Sequence, residues 1–106
     1  MLNDLKDKVV LITGSSTGIG AAAAVAFGQL GARVAVHYNS SQGPAQEVLK
    51  AVQATGAQAV LLQGDVMDSA QCQRLVQDTV KAFGRIDILR ASEAGPKNVA
   101  ATARSA

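Results

Sequence analysis

The chain has 106 residues, 48% of them hydrophobic and 17% charged, which is the composition of one small globular domain and not of a disordered segment. The formal net charge of +2 and the scattered basic residues do not favour nucleic acid or a membrane surface as a partner. No stretch reaches the roughly 18 apolar residues of a membrane helix, and the charged N-terminus has no signal-peptide pattern. Because the single cysteine, Cys72, cannot form an internal disulfide, we expect a reducing, cytoplasmic location.

Short apolar runs alternate with helical patterns along the chain. The runs predict strands at 8–13, 33–38, 58–63 and 86–89. Three helical patterns lie between them, and each is followed by a glycine, the residue that most often ends a helix: Gly31, Gly56 and Gly84. Helical crossovers between short strands indicate parallel pairing.

The first and third helical patterns carry specific expectations. The first is apolar on almost every side, so we expect it to be heavily buried. Its apolar residues at helical spacing are Ile19, Ala22, Ala23, Ala26, Phe27 and Leu30. The third opens with Asp68 and Gln71, whose spacing predicts a capping box in which the acid accepts a backbone N–H and the glutamine reaches back. Cys72 lies on its inward side as a small buried hydrophobe.

The predicted fold class is α/β: a partial Rossmann, or doubly wound, fold with a parallel sheet of about four strands in order 3-2-1-4 and three helices. The first two helices are expected on one face of the sheet and the third on the other. Residues 1–89 are predicted to form this part of the domain. Residues 90–106 have almost no apolar periodicity and are predicted to form a coil or weak helix.

The candidate binding motif runs from Gly14 to Gly20, directly between the first strand and the first helix. Gly14 allows a sharp turn, while Gly18 and Gly20 leave room for a diphosphate at the helix N-terminus, where free N–H groups favour an anion. The hydroxyl groups of the intervening residues are candidate donors to phosphate or ribose. Those residues are Ser15, Ser16 and Thr17, and Ile19 completes the motif.

The position of this motif after a strand and before a helix favours dinucleotide binding over a merely structural turn. A P-loop is excluded because no Lys-Ser or Lys-Thr pair follows the last glycine.

The Thr-Gly-x-x-x-Gly-Ile-Gly motif resembles that of the classical short-chain dehydrogenases/reductases. Two further segments are similar: 64–66, which reads Gly-Asp-Val, and 84–89, which looks like the entry to the family's fourth strand. The resemblance covers residues 5–89. Within it, residues 5–65 are similar to bacterial glucose dehydrogenase and 3-oxoacyl reductase members. It implies that Asp65 and Val66 contact the adenine of the cofactor.

The end of the second strand bears on cofactor choice. An acid there would bind the ribose hydroxyls and repel a 2′-phosphate. This sequence instead has His37 followed by the candidate contacts Tyr38, Asn39 and Ser40. We therefore predict NADP as the cofactor, with NAD as the alternative. For His37 itself we expect a strand-end side chain with a water partner.

The resemblance implies a Tyr-x-x-x-Lys pair, assisted by Ser and Asn, as the catalytic group. The single tyrosine here, Tyr38, has Gln42 and not lysine four residues on, and 90–95 departs from the family's Asn-Asn-Ala-Gly. We thus predict no catalytic residue and no metal ligand in these 106 residues, and inactivity of the chain alone.

Three hypotheses for function remain open from the sequence. The chain belongs to an NAD(P)-dependent oxidoreductase that acts on an alcohol or carbonyl, or it is a non-catalytic nucleotide-binding module. The third is a remnant from a truncated or frame-shifted gene, which either has no function of its own or works only by pairing with another subunit. Any dinucleotide binding is expected to be weak. An unpaired edge at Ile86, Ile88 and Leu89 suggests self-association through the fourth strand.

Overall fold

The computed structural model describes residues 5–15 and 18–91. Seven elements follow one another as strand, helix, strand, helix, strand, helix, strand. They are β1 (Val9–Thr13), α1 (Gly18–Gln29), β2 (Arg33–Tyr38), α2 (Gln42–Ala54), β3 (Ala59–Gln63), α3 (Ser69–Phe83) and β4 (Ile88–Ala91). The predicted tail at 92–106 lies outside the described residues.

All strand pairs of the sheet are parallel, and the strand order is β3-β2-β1-β4. Val10 is level with Val34 of β2 on one side and with Ile88 of β4 on the other. The predicted class and the order 3-2-1-4 are confirmed. Since the strands run the same way, the loops after β1, β2 and β3 leave the same edge of the sheet.

The two central strands are buried on both faces, as continuous apolar runs in a parallel sheet require. Val10 and Ile12 of β1 pack with α1 and α2, in a cluster that includes Ala24, Val48 and Val52. Leu11, between them in sequence, faces the other way and packs in a cluster with Val76 of α3. The expectation that α1 and α2 cover one face and α3 the other is therefore confirmed.

The expectation that α1 is heavily buried is wrong. Ile19 is 74% exposed and Leu30 is 40% exposed, while the buried residues are Gly20, Ala24 and Gly28. These small residues recur every four positions and form one stripe. An almost uniformly apolar helix offers no contrast from which to choose a face, so the inward side is set by which residues allow close approach.

Gly28 sets the distance between α1 and the end of α2. A Cβ placed on it would lie 3.0 Å from Val52 Cγ1 and 3.0 Å from Thr55 Oγ1. The Thr55 hydroxyl cannot easily retreat, because it donates to the Val52 carbonyl at 2.6 Å. Close packing of the two helices therefore needs a residue without a side chain at this position.

Strand β4 begins two residues later than predicted because of Asp87. Its backbone N–H donates to the Val9 carbonyl at 2.9 Å, and its carboxylate Oδ2 accepts from the Val9 N–H at 2.9 Å. Arg85 Nε donates to the same carboxylate oxygen at 2.8 Å. Asp87 thus occupies both backbone groups of Val9, and the regular β1–β4 ladder starts at Ile88.

Replacement of Gly28 by alanine should lower the free energy of unfolding by about 1 kcal/mol, since overpacking outweighs the gain in helix propensity. Gly43→Ala in α2 is the matched control, because nothing lies within 4 Å of its added Cβ. That variant should be neutral or more stable by up to about 1 kcal/mol. Urea denaturation of both variants measures the difference; equal stabilisation by the two would contradict the packing argument.

Protonation of Asp87 at low pH should lower the free energy of unfolding. The hydrogen bond from Val9, together with Arg85, holds the pKa of the Asp87 carboxyl below its ordinary value. A lowered folded-state pKa contributes stability that is complete above the ordinary carboxyl range and disappears as pH falls through the folded pKa. Urea midpoints measured across that range should therefore fall less steeply with pH in Asp87→Asn than in the natural chain. Parallel slopes in the two proteins would rule out this contribution.

Candidate functional site

The candidate site lies at the carboxyl edge of the sheet, where three chain segments emerge side by side. Gly14 and Ser15 follow β1, Asn39 and Ser40 follow β2, and 64–66 follow β3. The strand order places β1 next to both β2 and β4, so the crossover after β1 goes to one side of it and the crossover after β3 returns past β1 to its other side. Open α/β sheets form a ligand crevice at such a switch point.

The N-terminus of α1 meets the requirements of an anion site. The chain reaches it through Gly14, with φ of +65°, and Gly18, with φ of +60°. Gly18 is exposed, and a Cβ placed on it would meet nothing within 4 Å, so Gly18 itself is accessible at the start of the helix. The first turn of α1 carries no acidic residue. Backbone N–H groups in a first helical turn have no partner within the helix and favour an anion.

The N-terminus of α3 differs from that of α1, because the chain already provides a carboxylate there. Asp68 Oδ1 accepts from the backbone N–H groups of Ala70 at 2.9 Å and Gln71 at 3.3 Å. The predicted N-cap is confirmed. Gln71 does reach back to Asp68, but its Nε2 donates to the Asp68 carboxylate at 3.4 Å, and its Oε1 accepts from the N–H of Asp65 at 2.8 Å and not from that of Asp68. The loop after β3 provides a partner that the local spacing could not indicate.

Asp65 orients its own loop. One carboxylate oxygen, Oδ1, accepts from the Met67 N–H at 2.9 Å, which is the turn-capping alternative to a ligand contact. Met67 itself is 74% exposed. Val66 is half-buried, and its carbonyl accepts from the thiol of Cys72 at 2.8 Å. Cys72 is buried, as predicted, and burial raises the pKa of its thiol.

Ser15 does not present its hydroxyl to a ligand. The side chain is fully buried and its Oγ donates to the Ile12 carbonyl at 2.8 Å. The same oxygen accepts from the His37 N–H at 2.8 Å. The predicted donation from this hydroxyl to phosphate or ribose is therefore wrong in the described structure. Ser16 and Thr17 lie outside the described residues.

His37 connects the loops after β1 and β3, and the expectation of a water partner for it is wrong. The residue is 2% exposed. Its Nδ1 accepts from the Gly14 N–H at 2.8 Å, and its Nε2 lies 2.7 Å from the Gly64 carbonyl oxygen. A backbone N–H can only donate and a carbonyl can only accept, so the ring is neutral with its proton on Nε2. Burial lowers the pKa of His37, although the Gly64 hydrogen bond and the Asp65 charge oppose this effect.

The loop after β2 is open to solvent. Tyr38 is half-buried, while Asn39 and Ser40 are exposed. The Asn39 carbonyl accepts from Gln63 Nε2 at 2.8 Å, which leaves the Asn39 side chain outside this contact. The N-terminus of α2 begins just beyond, at Ser41, with no side-chain cap and no acid in its first turn. This corner of the edge therefore carries no negative side chain.

The part that Arg74 plays at the edge, like that of His37, could not be foreseen from the sequence. The guanidinium of Arg74 donates to the Gln63 carbonyl at the end of β3. The position of Arg74 in the third helical pattern alone gives no signal of this contact. A Cβ on Gly64 would lie 2.9 Å from this guanidinium, so the glycine allows α3 to approach β3 closely.

In the described part of the chain, no three His, Cys, Asp or Glu residues are grouped so as to hold a metal ion. None of the helices formed by residues 18–83 has the length and apolar character needed to cross a membrane.

Ser15→Ala should lower the free energy of unfolding by about 1–3 kcal/mol, because it leaves the buried His37 N–H and Ile12 carbonyl without their hydroxyl partner. Ser40→Ala, at an exposed position of the same edge, is the control and should change stability by no more than about 0.5 kcal/mol. Thermal and urea unfolding of both variants provide the comparison. A Ser15 variant as stable as the control would show that the buried hydroxyl contributes little.

Comparison with known proteins places this geometry in a family. The chain is 45% identical over 85 residues to an L-rhamnose 1-dehydrogenase (NAD(P)(+)) of Sphingomonas sp., covering 80% of this chain and 34% of that protein. It is 44% identical over 91 residues to versicolorin reductase 1 of Aspergillus parasiticus, covering 86% and 34%. The chain thus spans about a third of the length of the curated relatives it matches.

Solved structures give the same result. A protein of Burkholderia cenocepacia, described as a dehydrogenase with bound NADP, superposes with a TM-score of 0.81 at 41% identity, covering 84% of this chain and 35% of that one. An NADH-dependent reductase, A1-R′, complexed with NAD gives 0.78 at 36% identity, covering 84% and 37%.

The family model for short chain dehydrogenase matches residues 8–105. This span continues past residue 89, where we expected the family-like segment to end, and the division of the chain at that residue stays a prediction. The match covers well over half of the chain and agrees with the order of strands and the glycine loop. The chain therefore belongs to the short-chain dehydrogenase family.

Proposed function

We propose that these residues bind the pyrophosphate and adenosine parts of a nicotinamide dinucleotide, as the cofactor-binding portion of an oxidoreductase that acts on an alcohol or carbonyl. The observation that carries the proposal is the acid-free N-terminus of α1, reached through Gly14 and Gly18 at the switch point of the sheet. A dinucleotide supplies hydride chemistry when bound. The residues here provide its anchoring.

The donor set fits the pyrophosphate. The exposed Gly18 leaves the start of α1 accessible to a phosphate group, and the first-turn N–H groups of α1 supply donors aligned with the positive end of the helix dipole. Gly14, Gly18 and Gly20 serve through their backbone. Ile19, 74% exposed next to these glycines, offers an apolar surface against which the cofactor packs.

The adenosine part is proposed to lie over the ends of β2 and β3. One carboxylate oxygen of Asp65 accepts a hydrogen bond from the Met67 N–H, which restrains the carboxylate within the loop after β3. The exposed Met67 and the backbone of Val66 provide a surface for the adenine ring. Tyr38, Asn39 and Ser40 border the same space from β2.

The preference for NADP rests on charge. Asn39 and Ser40 are exposed and uncharged, and the adjoining first turn of α2 lacks an acid. A 2′-phosphate placed here meets hydroxyl and amide donors and no carboxylate from these segments. The relatives that are described with NADP, with NAD and with either cofactor agree with a family that uses both.

Catalysis is proposed to need residues beyond those described. The single tyrosine, Tyr38, lies at the adenosine end of the edge and has Gln42 in the place of the family's lysine. We accordingly propose that the 106-residue chain binds a dinucleotide weakly and does not turn over substrate alone. The alternative function is a module that binds a dinucleotide without catalysis. Dinucleotide binding without turnover is expected for this alternative and for the proposed cofactor-binding portion alike.

Two further proposals concern the cellular location of the chain and its self-association. A reducing, cytoplasmic location is supported by the single, buried thiol. Self-association through β4 is supported by its place at the end of the strand order among the described strands, with Ile88 and Leu89 only half-buried.

The charge argument predicts that Asn39→Asp lowers NADP affinity by at least about tenfold, because the new carboxylate repels the 2′-phosphate. Affinity for NAD should be unchanged or higher. Gln77→Glu, which adds the same charge on the exposed face of α3, should affect neither cofactor. Calorimetric titration of the purified chain gives the affinities, and a hydride-transfer assay on the same samples should be negative.

Several results would contradict the proposal. Tight NADP binding by the natural chain would show that the described edge is not a partial site. Absence of binding to either dinucleotide at millimolar concentration would remove the function altogether. Equal losses for NADP and NAD in Asn39→Asp would refute the assignment of the 2′-phosphate to the end of β2.

A further inference from the structure

The imidazole of His37 is the one ionisable side chain of β1, β2 and α1 that is buried among the described residues. It is also in contact with both loops proposed to bind the cofactor. Nδ1 accepts from Gly14, the first glycine of the loop after β1, and Nε2 faces the carbonyl of Gly64, which directly precedes Asp65. The ring therefore fixes the two loops relative to each other.

The backbone of His37 strengthens this connection. Its N–H donates to Ser15 Oγ, and its carbonyl accepts from the Ser15 N–H at 3.1 Å. Since Ser15 follows Gly14, both the ring and the backbone of one residue define where the chain leaves β1. His37 therefore holds Gly14, the first residue of the segment that leads to Gly18 and the N-terminus of α1.

Protonation of the ring conflicts with this arrangement. An imidazolium donates from both nitrogens, so Nδ1–H would face the Gly14 N–H, donor against donor, across 2.8 Å. The Gly64 side is unaffected, because Nε2 already donates there. Either Gly14 or the imidazole ring must then move, so protonation alters the contact between His37 and the start of the loop after β1.

Charged neighbours of the ring come from few elements. Asp65, after β3, is the carboxylate whose charge acts on His37. Helix α3, on the same face of the sheet, contributes Arg74 next to Gly64, the thiol of Cys72 and the N-cap Asp68. Neither β1 nor α1 carries an ionisable side chain, and Glu47 and Lys50 of α2 are exposed.

We propose that His37 is a positioning residue for the cofactor: its neutral ring holds Gly14, where the glycine motif begins, in place, and its protonation releases Gly14 and weakens dinucleotide binding. The inference rests on the proposed function of the same edge. Burial favours the neutral ring at neutral pH by lowering the pKa of His37 from its ordinary value of 6.5. The release is then expected in mildly acidic solution.

Nuclear magnetic resonance of the ¹⁵N-labelled full chain tests the structural half directly. His37 is the single histidine of the sequence, so its ring signals are unambiguous. At pH 8 the spectrum should show the tautomer with the proton on Nε2. As pH falls, the Gly14 amide should shift with the same midpoint as the ring. Observation of the other tautomer, or a Gly14 amide shift that does not follow the titration of the ring, would overturn the inference.

Dinucleotide binding tests the functional half. NAD is the probe, because the 2′-phosphate of NADP titrates near pH 6 and would obscure the effect. The natural chain should lose about three- to tenfold in NAD affinity between pH 8 and one pH unit below the ring midpoint, which is the size of one hydrogen bond. Absence of both NAD and NADP binding at pH 8 would refute the proposed function, whereas pH-independent NAD binding would refute only the role of His37.

Two variants separate positioning from mere folding. In His37→Asn, the Oδ1 acceptor stands as many bonds from the backbone as Nδ1 does, so it can accept from Gly14 but does not titrate. This variant should retain NAD affinity within about threefold at pH 8 and show no pH dependence. His37→Phe keeps the ring shape without an acceptor, and it should bind weakly at both pH values.

Urea midpoints establish that each variant is folded under the conditions used. If His37→Phe does not fold, the comparison of the natural chain with His37→Asn is sufficient to test the proposal. A pH dependence in His37→Asn that equals that of the natural chain would overturn the proposal, and so would full NAD affinity in a folded His37→Phe.

Discussion

Burial of β1 and β2 on both faces is the constraint on which the remaining architecture depends. Residues 9–12 and 34–36 have no exposed surface, so helices must cover the sheet above and below. Helical crossovers in turn make every strand parallel and bring the ends of β1, β2 and β3 to one edge. The site is thus a consequence of how the core is covered, since the same connections that bury the strands deliver three loops to one place.

Much of this architecture could be predicted from the sequence, because apolar periodicity is a strong signal when a strand is buried on both sides. Strand β2 has the predicted bounds, and the N-cap at Asp68 follows from residue type and spacing. The burial of α1 could not be predicted in the same way. Its apolar residues surround the helix, and the choice of the Gly20, Ala24 and Gly28 side reflects contacts with elements far along the chain.

The candidate site was predicted unevenly for a similar reason. The glycine loop is a local motif, so its position before α1 follows from adjacent residues. The contacts of His37 that hold the edge together join residues 22 to 27 positions apart, namely His37 with Ser15, Gly14 and Gly64. A histidine in a sequence gives no indication of which backbone groups its ring will meet. Ser15 was misjudged because its loop position indicates a free hydroxyl, whereas the fold turns that group inward.

The stripe of small residues on α1 has a consequence for mutational tolerance. Ile19 in the first turn of this helix and Leu30 just after its last residue are substantially exposed, whereas Gly28 lies against α2 with no room for a methyl group. Hydrophobicity is then a misleading guide to which positions of α1 accept change. Polar replacements on the outer side leave the fold intact, while an added carbon atom at the stripe separates the helix from its neighbour. Among natural variants of this helix, size at the glycines should be more restricted than polarity elsewhere.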